Sequence, residues 1–284
     1  MSADLLLTDR PAAGAPAPRG RHPLLFAALR TVGTMGLVLV AVVALWAAAL
    51  WVFDVSPYVG KGPLDVVDIL VVDEDAPALR AEIAGLLGRT LLDAGVGFAA
   101  GMLVAMLLAA VVVRFRTAES AVMPVALVLQ TVPLIALAPM LILLVGRGYP
   151  TVALMSTIVV LFPALVTIVV GLRSVSPQMR DLVVVYGGSP MTVLRTVALP
   201  SALPALFASV RIAVPGSMTG ALLAEWLATG KGIGYAVVSA AARSQIGKVW
   251  ALVVVITVVS LLLYLLAQLV EAAVLSRFGQ ADRA

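Results

Sequence analysis

The residues that could do chemistry are few, and their scarcity is informative. The chain has no cysteine and one histidine, His22. Disulfides, thiolate zinc sites and iron–sulfur clusters are therefore excluded, and a lone histidine with no carboxylate cluster is not a metal centre. No nucleophile–base–acid grouping can be assembled, and no Gly-x-x-x-x-Gly-Lys-Ser/Thr phosphate loop occurs. The stretch Gly230-Lys231-Gly232-Ile233-Gly234 is glycine-rich, but its lysine precedes the wrong residues. The remaining candidates are polar groups set inside apolar runs: Gln130, Arg211, Gln268 and Glu271. Such groups are expensive at membrane depth and are functional candidates by default. Two readings stand for Gln130, lining a passage or bonding a neighbouring helix. Two also stand for Arg211, anion passage or snorkelling towards the boundary. Gln268 and Glu271 read as interfacial.

The elements that hold these groups follow from composition. Of 284 residues, 62% are apolar and 12% charged, against about 25% charged in soluble domains. A soluble fold of this length cannot hide that much apolar surface, so the fold class is an all-α integral membrane protein. A spanning helix needs about 20 apolar residues. Six segments qualify, at about 31–53, 90–113, 121–145, 150–172, 204–226 and 250–274. Residues 1–30, rich in Ala, Pro, Gly and Arg in their first two-thirds, read as a disordered cytosolic arm, residues 31–276 as the transmembrane domain and 277–284 as a cytosolic tail. The run from Thr31 to Phe53 is too long for the core of a signal peptide.

Lys and Arg set the orientation. The N-terminal arm, Arg114 and Arg116, the link from Arg173 to Arg195, and Arg277 form one set. Between Asp54 and Gly88 the chain is acidic instead, with Asp65, Asp68, Asp73, Glu74, Asp75 and Glu82 against Lys61 and Arg80. Both termini are predicted to be cytoplasmic and the acidic loop external, with Ala76–Ile83 as a short helix along the membrane surface. The net charge of +4 is spread thinly between apolar runs. That pattern suits loops facing anionic lipid and excludes a nucleic-acid site. Prolines at 124, 133, 139, 163 and 215 would break local helix hydrogen bonds, and two readings stand for spans three and five, kinks beside a pathway or plain packing geometry.

The link 174–203 is more than a connection. Ser176 is placed to cap a helix with Pro177 at its first position. Gly187–Gly188 should stop that helix, Ser189–Pro190 repeats the start signal, and Leu199–Pro200 should close the second short helix. Its spacing resembles the cytosolic loop of permeases of binding-protein-dependent ABC importers: Glu-Ala-Ala, three residues, Gly, nine residues, Ile, one residue, Leu-Pro. Asp181-Leu182-Val183, Gly187, Val197 and Leu199-Pro200 occupy those places. Leu182 and Val183 depart from the two alanines. Ala224-Glu225 before Gly232-Ile233-Gly234, the run Thr131 to Pro139, and Thr90 to Phe98 resemble further family elements, Asp93 standing where relatives often have Arg. The resemblance covers about residues 60–275, in the branch that moves nitrate, sulfonates, taurine and thiamine-pyrimidine precursors.

That resemblance implies a type I importer permease with no chemistry of its own. The expected partners are an ABC ATPase subunit in two copies, a second permease subunit, identical or homologous, and an extracytoplasmic substrate-binding protein, all in or on the lipid bilayer of a bacterial cytoplasmic membrane. The chain is expected to hold no cofactor, ATP and Mg being used by the ATPase. Asp181, Tyr186, Gly187, Gly188, Ser189, Pro190, Leu199 and Pro200 are the expected coupling residues, with Asp181 contacting the ATPase or capping the loop. Gln130, Pro133, Met140, Arg211 and Glu225 are the candidate pathway residues. An ion-gradient-driven secondary transporter is the alternative, which would want midplane carboxylates and two related halves.

Overall fold

The computed structural model describes residues 23–277, with side chains from Gly33 onward. Of the arm predicted at 1–30 and the tail predicted at 277–284, residues 1–22 and 278–284 lie outside the described residues; residues 23–30, expected to be disordered, instead form the opening turns of the first helix. In chain order the helices are α1 (Pro23–Val52), α2 (Pro63–Val67), α3 (Ala76–Arg114), α4 (Arg116–Thr131), α5 (Leu134–Val145), α6 (Tyr149–Arg173), α7 (Pro177–Val185), α8 (Pro190–Val193), α9 (Leu199–Ala224), α10 (Gly232–Ala242) and α11 (Ile246–Arg277). Three wide π turns, Asp68–Val72, Leu194–Ala198 and Glu225–Thr229, join some of them. No strand occurs among the described residues.

Five helices are long and apolar enough to cross a membrane, and α4 with α5 supply a sixth if that bent pair is one span. Leu37 and Leu45 are 70% exposed and Leu143 86%. Side chains of that kind need an apolar solvent on the outside.

α3, α6 and α9 form the centre. Gly97 and Gly101 of α3 lie against Ser156 and Val160 of α6, so these two helices run parallel. Gly216 and Gly220 of α9 approach Val159 and Ser156, and Gly171 meets Ala205, so α9 runs antiparallel to α6. Small residues let the backbones approach closely, which is how apolar helices associate where lipid removes the hydrophobic drive. Met155, Leu165, Val112 and Val160 fill the space between these helices. α11 closes the side through Leu252 and Ile256 packed with Met218, Ala221 and Ile233. Trp46 of α1 stacks on Trp250 of α11 at 5.3 Å, and Trp250 Nε1 donates to the Val59 carbonyl at 2.9 Å.

Three expectations need correction. The third span is not one kinked helix: α4 and α5 meet at 107° across Val132–Pro133. Pro133 has no N–H to give and biases the residue before it to extended backbone; Val132 sits at φ −74°, ψ 122°. Pro124, Pro139, Pro163 and Pro215 stay inside helices. Ala76–Ile83 is not a separate surface helix but the opening turns of the 39-residue α3. Leu199–Pro200 does not end a helix either. The chain continues from Pro190 to Thr229 as one 40-residue helical run. The π turn before Leu199 widens the backbone, so that Leu199 N–H reaches back to Leu194 O. That widening admits the Pro200 ring, which a regular α turn would set against the carbonyl four residues earlier.

Candidate functional site

The loop 174–203 is built as its local chemistry dictates. Ser176 Oγ accepts from Met179 N–H at 3.3 Å, with Pro177 at the first helical position of α7. Gly187 takes φ +79°, and its N–H donates to Val184 O at 2.9 Å while Gly188 N–H donates to Val183 O at 2.8 Å. This is the glycine-terminated helix end, in which the left-handed residue turns the chain and satisfies the last carbonyls. Ser189 Oγ then accepts from Thr192 N–H at 3.2 Å and opens α8 beside Pro190.

What the turn presents is apolar. α7 buries none of its residues. Leu182, Val184, Val185 and Tyr186 are exposed, Tyr186 by 84%, as is Met191 just past the turn. The Asp181 side chain makes no hydrogen bond or ion pair with any described residue, so it does not cap the loop. Val197 and Ala198 are buried and root the segment in the α3/α6/α9 core. Leu199 is half exposed. Beside the loop, Arg173 pairs with Glu119 of α4.

The pathway candidates are not brought together. Gln130 Nε2 donates to Phe162 O of α6 at 3.4 Å, which is the helix-bonding reading. Met140 is exposed on α5, and Pro133 lies at the α4–α5 break. Arg211 neither snorkels alone nor stands free. Its Nε lies 3.1 Å from Glu271 Oε2 of α11, so Glu271 is its counter-ion. Glu225, expected on the passage, is fully buried. Its Oε2 accepts the Gly234 N–H at 2.8 Å, and its carboxylate fills the volume over Gly232 that a Cβ would occupy. Gly232 has φ +85°, which glycine alone adopts without cost. Glu225 therefore clamps the Gly-Ile-Gly turn where α10 begins, and the resemblance of Ala224-Glu225 and Gly232–Gly234 has a structural cause.

Two features escaped the sequence. Thr90 Oγ1 of α3 accepts the buried Ile233 N–H at 3.0 Å, and beside it the buried Asp93 pairs with Arg89 at 3.1 Å. The spacing of Arg89 and Asp93, four apart on a helix, was the available signal. Basic residues also gather at the end of the bundle opposite the loop. Lys231, Arg243 and Lys248 lie in one stretch of the sequence, but Arg89 lies far before them and only the fold brings it alongside.

Together these features define a multi-pass, all-α membrane protein with a capped helix–turn–helix arm at one end of its bundle. Residues 97–276 match the family described as binding-protein-dependent transport system inner membrane component, and the chain belongs to that family. It is 33% identical over 62% of its length to a probable ABC transporter permease protein of Haemophilus influenzae, covering 71% of that relative. It is 30% identical over 56% of its length to a riboflavin transport system permease protein of Chloroflexus aurantiacus, and 32% over 52% to a formylaminopyrimidine transport permease protein of Halalkalibacterium halodurans. The chain spans 59% and 60% of the latter two. The membership makes the chain a transport component of such a system and leaves the ion-gradient reading without support.

Proposed function

We propose that this chain forms half of the membrane passage of an ATP-driven importer in a bacterial cytoplasmic membrane, its termini on the cytoplasmic side. A second permease, identical or homologous, supplies the other half. A separate ATPase docks on loop 174–203, a second copy docks on the other permease, and a soluble binding protein delivers the solute at the opposite end. ATP and Mg belong to the ATPase, which carries the enzymatic activity. The cargo is a small solute, such as a sulfonate, nitrate or a pyrimidine-precursor-like compound, the range of the branch the sequence resembles.

The observation that carries this reading is the turn Tyr186–Pro190. Its conformation is fixed by two serine caps and a left-handed glycine, while its apolar side chains stay uncovered. Such a surface is ordered before any partner arrives, which lowers the entropic cost of docking. Lipid is a poor cover for it, because Gln178, Arg180 and Asp181 share the same short helix.

The chain has no native cysteine, so Tyr186→Cys gives a single reactive thiol at the turn. Purification of the tagged Tyr186→Cys protein in mild detergent after bifunctional crosslinking should recover an ATPase with a phosphate loop joined at that residue. A homo-oligomer with no ATPase, reproduced under crosslinking, would overturn the proposal.

A further inference from the structure

At the end of the bundle away from loop 174–203, the start of α3, the turn after α9, α10 and the start of α11 enclose a cavity of about 430 Å³. Small-molecule sites commonly fall between about 300 and 1,000 Å³. The wall carries Arg89, Lys231, Arg243 and Lys248 against a single carboxylate, Glu82. Two of these cations are already answered: Arg89 by Asp93, and Lys248 by Glu82 at 2.6 Å. Lys231 and Arg243 have no ion pair with any described residue. Hydrogen-bonding groups accompany them, since Tyr235 and Ser239 lie on the same wall. Gly230 and Tyr235 also border a second cavity of about 450 Å³, which contains Arg147. The charge therefore does not stop at the rim.

The contrast with the neighbouring segment is sharp. Asp65, Asp68, Asp73, Glu74 and Asp75 lie just before α3 at this same end. They stay out of the cavity wall, whose acid content is Glu82 alone. Anions are thus repelled by the outer segment and attracted into the concavity, and cations the reverse. A concavity of this volume is large enough for a small solute.

We infer that this cavity is a receiving site for a small anionic solute, a carboxylate, sulfonate or phosphate, held by Lys231 and Arg243 at the entrance to the passage. The inference rests on the importer reading and narrows its cargo to an anion. Kinship does not decide this, since a riboflavin permease and a nitrate import permease of Synechocystis are both among the chain's relatives, and riboflavin is neutral where nitrate is not. The same anionic chemistry is found on lipid headgroups, so the test must separate the two sources.

Ser239→Cys places a thiol on the cavity wall of the cysteine-free chain, and Ser56→Cys places one in the exposed acidic segment. Each is labelled in full-length protein in phosphatidylcholine nanodiscs, with a sulfonate-bearing or a trimethylammonium-bearing methanethiosulfonate. Fields focused in charged clefts raise local ion concentrations by about ten-fold or more. The sulfonate reagent should therefore react about ten-fold faster relative to the cationic one at Ser239→Cys than at Ser56→Cys. Adding Lys231→Gln and Arg243→Gln should bring the two ratios together, and high salt should do so in part. Equal ratios in the parent, or a ratio indifferent to the double substitution, overturn the inference. Loss of the preference when phosphatidylglycerol is added assigns the site to lipid and overturns the solute reading; persistence supports it. Labelling needs neither ATP nor cargo delivery. A failed ATPase recovery would thus sink the importer reading while leaving this result standing.

Discussion

Replacing Gly188 with alanine should separate ATP hydrolysis from uptake more severely than replacing Gly187 with asparagine. A Cβ on Gly188 would lie 2.8 Å from Val183 O and collide with Val183 Cγ1. That same carbonyl accepts the Gly188 N–H at 2.8 Å, so the methyl cannot be placed while the bond that closes α7 survives. Losing the bond costs about 1 kcal/mol, and overpacking adds about 1–3 kcal/mol. A net of about 2 kcal/mol shifts the turn's equilibrium about 30-fold, since 1.4 kcal/mol is tenfold. Gly187 differs: nothing lies within 4 Å of its added Cβ, and the obstacle is φ +79° alone. A left-handed residue other than glycine costs about 1–2 kcal/mol, and asparagine bears it best. α7 buries nothing, so neither change should disturb the membrane core. The assay is uptake per ATP hydrolysed in proteoliposomes, with the purified yield as the control for insertion. Gly188→Ala should lower that ratio several-fold, and Gly187→Asn should stay near the parent while Gly187→Val falls with Gly188→Ala. A parent-like ratio for Gly188→Ala refutes the coupling role of the turn.

Breaking the Arg211–Glu271 pair with Arg211→Ala or Glu271→Ala should cost about 3 kcal/mol, because one desolvated charge is left alone, whereas Arg211→Met with Glu271→Leu should recover most of it. Thermal unfolding in detergent followed by tryptophan fluorescence decides the matter, and unchanged single variants would show the pair to be idle. Gly220→Ala puts a Cβ 2.8 Å from Ser156 Cα at the α6–α9 crossing and should lose about 1–3 kcal/mol. Gly95→Ala meets nothing within 4 Å and should gain about 0.5–1 kcal/mol on removing a mid-helix glycine; the opposite order would contradict the packing described. Glu225→Ala strands the buried Gly234 N–H at a cost of about 1–3 kcal/mol, and Glu225→Gln should restore it. Faster amide exchange around Gly234 in the alanine variant alone is the signature, and equal exchange in both would remove the clamp.

What could be read in advance was local. Ser176–Pro177, Gly187 and Ser189–Pro190 act within one turn of themselves, and their helix ends lie where the residues place them. Leu199–Pro200 misled because a proline announces that a regular α turn is impossible, not how the chain avoids one. The π turn at Leu194–Ala198 avoids it with no residue signal of its own. Pro133 announced a bend, but its 107° depends on how α4 and α5 each pack on α6. Glu225 was legible as a member of a pattern and illegible as a clamp, since its role appears only when the backbone of Gly232–Gly234 folds over it. Arg211 and Glu271 lie on different helices, and nothing along the chain relates them. The basic cavity is harder still, since it joins the stretch from Gly230 to Lys248 to Glu82 and Arg89 on a distant part of the chain.

One element links the two ends of the molecule. The helical run Pro190–Thr229 begins at the exposed turn and ends at Gly230, a wall of the basic cavity. Along most of its length it is held against α6 at glycine and alanine contacts, where a shift of one helix without the other would open voids or drive backbones together. Deformation is therefore concentrated where the hydrogen-bond ladder is already irregular, at the π turns Leu194–Ala198 and Glu225–Thr229. The first joins the loop to the core through Val197 and Ala198, and the second carries Glu225, which holds the turn into α10. A displacement imposed at Ser189–Pro190 is thus taken up first at Leu194–Ala198, and what passes along the packed run ends against the backbone beside Lys231. In the importer proposed above, this run is the mechanical link between the ATPase-docking turn and the proposed anion cavity.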